Sequence, residues 1–209
     1  LEKEGIDTRH VRTADGISTG VAAITVSQAE NSIIVVPGAN HALSPSDVRA
    51  AESAFVTADV VLCQLEIPLE TVEAAAALAE RHGKPFILNP APAMPLPQTL
   101  RERAALMTPN EHELAILLAV PDSEWQQQLA RHPQRILMTR GSAGAWSYGD
   151  DGKLHHQPAF AVEAKDTTGA GDTFNGALAA FWGEDLDRLA RIACAASALS
   201  VMQAGAQGG

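Results

Sequence analysis

The sequence predicts an α/β fold, a three-layer αβα sandwich with a mostly parallel central sheet. Three observations carry this. Short apolar segments alternate with amphipathic helical segments along most of the chain, the pattern of a parallel sheet covered by helices on both faces. The chain has 209 residues, 46% hydrophobic and 19% charged, an ordinary balance for one sizeable core. It also carries no internal repeat, no low-complexity tract and no apolar run near the roughly 18 residues of a membrane span.

Taken in order, Gly20–Val26 and Ile33–Val36 are β-branched strands flanking the polar stretch Ser27–Ser32, hence a hairpin. Ser44 and Pro45 open a helix that should run through about Phe55, with Ser at the N-cap and Pro at the first helical position. Val60–Cys63 is a strand, and Leu69–His82 is an Ala-rich helix ending before Gly83. After the strand Phe86–Asn89, the loop Pro90–Pro97 holds too many prolines to be helical. Leu106–Thr108 is a short strand ahead of a helix over Glu111–Leu118. A helical stretch at Ser123–Arg131 precedes the strand Arg135–Thr139. Ala145–Tyr148 and Leu154–Val162 form a second hairpin across the turn Gly149-Asp-Asp-Gly152. Helices over Asp172–Trp182 and Asp185–Met202 close the series.

Composition narrows the function classes. Fifteen Lys and Arg face 25 Asp and Glu, a formal net charge of −10, which argues against gripping a nucleic-acid backbone. Anionic small ligands remain open, because backbone N–H groups bind phosphate without net positive charge. The two cysteines, Cys63 and Cys194, stand far apart in apolar stretches. They make no disulfide framework or zinc spacing and read as buried residues in a reducing, cytoplasmic setting. The chain starts at Leu1 with no initiating Met and no signal-peptide pattern, and is read as beginning within a longer protein.

In open α/β sheets, ligands bind beyond the carboxyl ends of the strands. Just past the predicted strands stand Gln64-Leu-Glu66, Asn89-Pro-Ala-Pro92, Asn110-Glu-His-Glu113, Thr139-Arg-Gly-Ser142 and Asp166-Thr-Thr-Gly-Ala-Gly-Asp172. Five polar loops at the same relative place point to one shared site. The last is the most informative. Its small residues let a ligand approach the backbone, and the helix that follows aims free N–H groups at whatever sits above. Asp172 is then either a base for an attacking hydroxyl or an ordinary N-cap. Neither common nucleotide motif is present. There is no G-x-x-x-x-G-K-[ST], and Gly169 and Gly171 lack the third glycine of the dinucleotide fingerprint.

Thr167-Thr-Gly-Ala-Gly-Asp-Thr-Phe174, continued by Asn175-Gly176, resembles the second signature of the ribokinase family of carbohydrate kinases, the PfkB type, almost residue for residue. Leu88-Asn-Pro-Ala-Pro-Ala93, Thr108-Pro-Asn-Glu111, Val36-Pro-Gly-Ala-Asn40 with Leu43-Ser-Pro45, Ser18-Thr-Gly20 and Gly205-Ala-Gln207 extend the similarity over essentially the whole chain. The resemblance implies a ribokinase-like fold with part of a small β-sheet lid at about residues 17–37. It implies an ATP-dependent kinase that phosphorylates the primary hydroxyl of a pentose, D-ribose first. Deoxyribose, a ketohexose or a nucleoside are alternative acceptors, and a truncated, non-catalytic nucleotide-binding chain is the alternative of another class.

Residue by residue, the resemblance implies that Asp172 is the catalytic base and that Gly169, Ala170 and Gly171 form the anion hole. Asn110 and Glu113 would place the phosphates and the waters of Mg²⁺. Thr139, Arg140, Gly141, Ser142, Ala143 and Gly144 would line the nucleotide site, with Cys194 near the adenine and Glu66 on the sugar. Asp166, Thr168, Ser200, Gln203 and Gly205 would hold an activating monovalent cation, K⁺, and the lid would pair two subunits into a homodimer. The family also has an upstream region with a first sheet strand, a sugar-binding Asp and a Gly-Gly-x-Gly-x-Asn motif, none of which this sequence contains. The chain is therefore expected to be a single, N-terminally truncated domain with much of its sugar pocket missing.

Other residues invite blander readings. His155-His156 is read as a solvated pair, Trp125, Trp146 and Trp182 as packing residues, and Glu70, Glu73 and Glu80 as a solvated helix face.

Overall fold

The computed structural model describes residues 1–27 and 30–206. The early hairpin is β1 (Val21–Ser27) against β2 (Glu30–Val36), antiparallel from the Val21–Val36 pair to the Ser27–Glu30 pair. Two residues of its expected polar turn, Gln28 and Ala29, lie outside the described residues, as does Gln207.

The central sheet runs in chain order. β3 (Val61–Cys63), β4 (Phe86–Leu88) and β5 (Leu106–Met107) are parallel neighbours, with Cys63 facing Leu88 and Leu88 facing Met107. Parallel bridges from Met107 to Ile136 and from Asn110 to Thr139 carry the pairing to β6 (Met138–Thr139). Two antiparallel strands complete it, β7 (Ala145–Tyr148) and β8 (Leu154–Gln157).

Alternation along the strands sorts the core into two layers, because successive side chains point to opposite faces. Phe86, Leu88, Met107, Ile136 and Met138 belong to one cluster. It includes buried residues of α1 (Pro45–Ala50), α3 (Leu69–Arg81), α4 (Gln98–Arg103), α5 (Glu111–Leu118) and α6 (Trp125–Arg131). Ile87, Leu106, Leu137 and Ala145 belong to the other, under α7 (Ala170–Ala180) and α8 (Leu186–Ser200). The three-layer expectation holds.

Several boundaries differ from the sequence reading. The helix expected through Phe55 is split at Ala51 into α1 and a second helix, α2 (Glu52–Thr57); nothing in the local sequence explains the break. Helix α4 follows Pro97 where no helix was expected. Arg135 explains why it holds there: its Nη2 donates to the carbonyls of Arg101, Glu102 and Ala104 at 3.2, 2.8 and 2.6 Å, satisfying acceptors that a helix end leaves open. Strand β8 stops at Gln157, short of Val162, because Pro158 has no N–H to donate to a ladder. Helix α7 starts at Ala170, two residues before the expected Asp172.

His156 is exposed, as a solvated residue should be, while His155 keeps partial exposure and is also paired. Its two ring nitrogens meet the carboxylates of Asp187, at 2.7 and 2.8 Å, and Asp151, at 3.0 Å. Trp125, Trp146 and Trp182 pack against the core clusters, as packing residues should.

Candidate active site

The parallel strands all deliver their carboxyl ends to one side of the sheet. Gln64 and Glu66 after β3, Asn89 and Ala91 after β4, Thr108, Asn110 and Glu113 after β5, Thr139 after β6, and Gly169, Gly171 and Asp172 line one cleft of about 260 Å³. All five polar loops singled out in the sequence contribute to it.

A buried relay fixes its floor. The Asn89 side-chain amide donates to the Thr108 carbonyl at 3.0 Å, and the Thr108 hydroxyl donates to Asn175 Oδ1 at 2.6 Å. Asn175 Nδ2 in turn donates to the Gly171 carbonyl at 2.9 Å. Asn175 is only 2% exposed, so its polar atoms need such partners, and meeting them anchors the first turn of α7 to β4 and β5. Asn110 and Glu113 form a reciprocal capping box at the start of α5, each accepting from the other's backbone N–H at 2.9 and 2.8 Å. Burial pushes the Glu113 carboxyl above its ordinary range.

The first turn of α7 leaves backbone N–H groups open. Gly169 is its N-cap, at φ +78, and a Cβ there would sit 3.2 Å from Ala206. Asp172 is therefore the third helical residue, which removes the N-cap reading. Among the described residues the N–H groups of Gly171 and Asp172 have no acceptor. A Cβ on Gly171 would meet nothing within 4 Å, so the space above this turn is open. Asp172 is exposed and accepts from Gln64 Nε2 at 3.4 Å.

Beside this turn, Asp166 accepts from the N–H groups of Thr168 and Gly205, both at 2.9 Å, and these hold its carboxyl below the usual range. The N–H groups of Lys165 and Asp166 reach the Val201 carbonyl at 2.7 and 3.2 Å, and Gln203 N–H reaches the Ser200 carbonyl at 3.2 Å. The structure thus sets Asp166 and Thr168 against the segment carrying Ser200, Gln203 and Gly205.

A second cleft, of about 510 Å³, adjoins the first and shares Thr139, Gly171 and Phe174 with it. Its walls are Gly141, Ser142 and Gly144 of the loop after β6, the segment Ala159–Ala164, and Cys194, Ser197, Ala198 and Val201 of the α8 end. Gly144 has φ +100, and a Cβ there would lie 2.1 Å from the Gln157 carbonyl, so only glycine fits. Burial pushes the Cys194 thiol up to about 11, which keeps it protonated at neutral pH. Arg140 and Ala143 line neither cleft. The Ala159–Ala164 wall was missed by sequence reasoning, which read its first part, through Val162, as strand; Pro158 was the signal available.

Comparison with known proteins decides the family. The chain matches the pfkB family carbohydrate kinase pattern over residues 1–209. It belongs to the pfkB family of carbohydrate kinases. This kinase is 40% identical over 211 residues to the ribokinase of Bacillus subtilis (strain 168), covering 100% of the chain and 71% of that protein. It is 35% identical over 218 residues to the deoxyribokinase of Salmonella typhi, covering 99% and 71%. The structure of Arabidopsis thaliana ribokinase complexed with ribose and ATP matches it with a TM-score of 0.76 at 32% identity, over 91% of this chain and 65% of that one. Among the described residues no helix is long and apolar enough to cross a membrane.

Proposed function

We propose that this kinase transfers the γ-phosphate of ATP to the primary hydroxyl of a pentose, D-ribose before other sugars. The observation that carries the reading is the placing of Asp172 beside the open first turn of α7, where the polar cleft meets the glycine-walled one. ATP lies in the second cleft, against the Thr139–Gly144 loop and Cys194. Its apolar side chains suit a flat base, and Gly141 and Gly144 allow a close backbone approach. The sugar lies in the polar cleft, with Glu66 on its hydroxyls. Asp172 takes the proton of the primary hydroxyl as that oxygen bonds to the γ-phosphorus and the bond to ADP breaks. The open N–H groups of Gly171 and Asp172 receive the charge that builds on the transferring oxygens, with Gly169 shaping the turn; the Ala170 N–H, expected to join them, already donates to the Thr167 carbonyl at 3.3 Å.

Asn110 and Glu113 are suited to hold the waters of Mg²⁺, since Glu113 lines the polar cleft with one carboxylate oxygen left over from the capping box. That ion would offset phosphate charge. Asp166, Thr168, Ser200, Gln203 and Gly205 are suited to a K⁺ site, because they lie on two segments already tied together beside the anion turn. The β1–β2 hairpin is a partial lid and the place where two subunits pair. The reading puts the kinase in the cytoplasm, where both cysteines stay reduced. The Salmonella relative's name supports deoxyribose as the second acceptor.

The test is ADP release measured over a panel of sugars. D-ribose should give the highest kcat/KM, and replacing Na⁺ by K⁺ should raise turnover. A higher value for deoxyribose moves the assignment to that sugar. ATP binding without sugar-dependent turnover overturns the reading in favour of a nucleotide-binding chain.

A further inference from the structure

Arg140 was expected to line the nucleotide site, yet its side chain is committed elsewhere. The guanidinium is paired with the Glu111 carboxylate and lies 5.6 Å from the ring centroids of both Trp125 and Trp146. Those indoles meet edge to face at 5.7 Å, which gives the flat guanidinium two aromatic walls. Trp146 is also stacked on His156, with ring centroids at 4.1 Å and planes at 10°. His156 Nε2 is 2.9 Å from the Ala143 carbonyl; a carbonyl only accepts, so this nitrogen carries the proton. The loop after β6 is thus held at Arg140 and again at Ala143 by one continuous cluster.

Its other anchor is the start of α5. Glu111 immediately follows Asn110, and Asn110 is bridged to Thr139 across the sheet. Glu111 lies outside both clefts, but its neighbours Asn110 and Glu113 line the polar one. Unpaired, its carboxylate would put a negative charge beside the place where phosphates must sit.

We propose that Arg140 is a positioning residue for the phosphates of the nucleotide: it neutralises Glu111, the carboxylate next to Asn110, and so keeps a stray negative charge away from them. This rests on the reading of the second cleft as a nucleotide site, and it assigns Arg140 a role carried through Glu111 without contact to the nucleotide. The cost of losing it should therefore scale with phosphate charge.

Calorimetric titration of the full chain with ATP, ADP and adenosine tests this. Arg140→Gln should weaken ATP about tenfold and ADP less, and leave adenosine unchanged. Adding Glu111→Gln should restore ATP to within about threefold of the wild type, since the stray charge is then gone. Arg140→Lys should fall between, keeping charge but losing the flat fork. Should Arg140→Gln fail to fold, Glu111→Gln alone decides. It should not weaken ATP, and a loss of affinity there overturns the charge argument. Equal weakening of ATP and adenosine, or no recovery in the double variant, makes Arg140 merely structural and overturns the proposal. Wild-type ATP affinity in Arg140→Gln overturns it while leaving the nucleotide reading intact. A wild-type chain that binds none of the three ligands overturns both.

Discussion

The two clefts at the carboxyl end of the sheet share a border but are made of different material. The polar cleft is assembled from polar side chains, among them Gln64, Asn89, Asn110 and Asp172, each delivered by a separate loop. The second brings glycines and alanines of four chain segments together with Phe160, Val162, Phe174, Cys194 and Val201, and its walls are mainly apolar. The first therefore depends on which groups are present, and the second on how closely chain segments can approach. A substitution in the polar cleft should alter the reaction and spare the fold; one in the second should alter shape and stability first.

The sharpest way to break this distinction is Asp172→Asn. Its side chain is exposed, so the fold should be untouched. Turnover should drop about 10³-fold or more with ATP affinity held within about threefold, read by steady-state kinetics and calorimetry. Turnover close to that of the wild type would remove Asp172 from the chemistry.

The two glycines Gly144 and Gly171 sharpen the comparison next. Alanine at Gly144 drives a methyl into the Gln157 carbonyl at positive φ, and should cost about 3 kcal/mol or more in denaturant unfolding. Alanine at Gly171 meets open space inside a helix. It should raise stability by about 0.5–1 kcal/mol while lowering turnover about 10²-fold, because the methyl caps the anion turn. Equal thermal shifts in the two variants would contradict the contrast.

The smallest expected effect lies away from both clefts. His155 sits between Asp187 and Asp151, with Lys153 on the far oxygen of Asp151 at 3.4 Å. The hydrogen bonds to Asp187 and then Asp151 raise its pKa above 6.5. Because the folded value is raised, the stabilisation is full below the unfolded value and is lost as pH climbs through the folded one. The Tm difference between wild type and His155→Gln should thus be largest at about pH 6 and close by about pH 9. A difference that stays constant with pH would mean the imidazole is not charged there.

Much of this architecture was legible because its signals are local. Helix α3 announces itself through Ala spacing and Gly83, and the parallel strands through short apolar runs before polar loops. Asp172 and the surrounding glycines stood out because their chemistry and backbone freedom are unusual together. What was not legible depends on partners distant in sequence. Helix α4 has its end secured by Arg135, 31 to 34 residues away. The Thr108–Asn175 bond spans 67 residues, so neither side chain advertises its part in shaping the anion turn. The start of α7 was misplaced because an αL glycine serves as its cap, where the usual signal is an Asp or Ser side chain. Arg140 was read as a nucleotide residue along with the rest of its loop, and only the fold turns it toward Glu111.

The order of strands across the sheet also bears on synthesis. Each strand from β3 to β8 lies next to the one before it, so a chain leaving the ribosome can add strands one at a time. One face acquires its covering helices during that growth, since α3 to α6 fall between the strands. The other face, with Ile87, Leu106 and Leu137, waits for α7 and α8, translated after the sheet is complete. A nascent chain halted before residue 170 would present that bare apolar surface to the cell, and this is the stage at which holdase chaperones have most to bind.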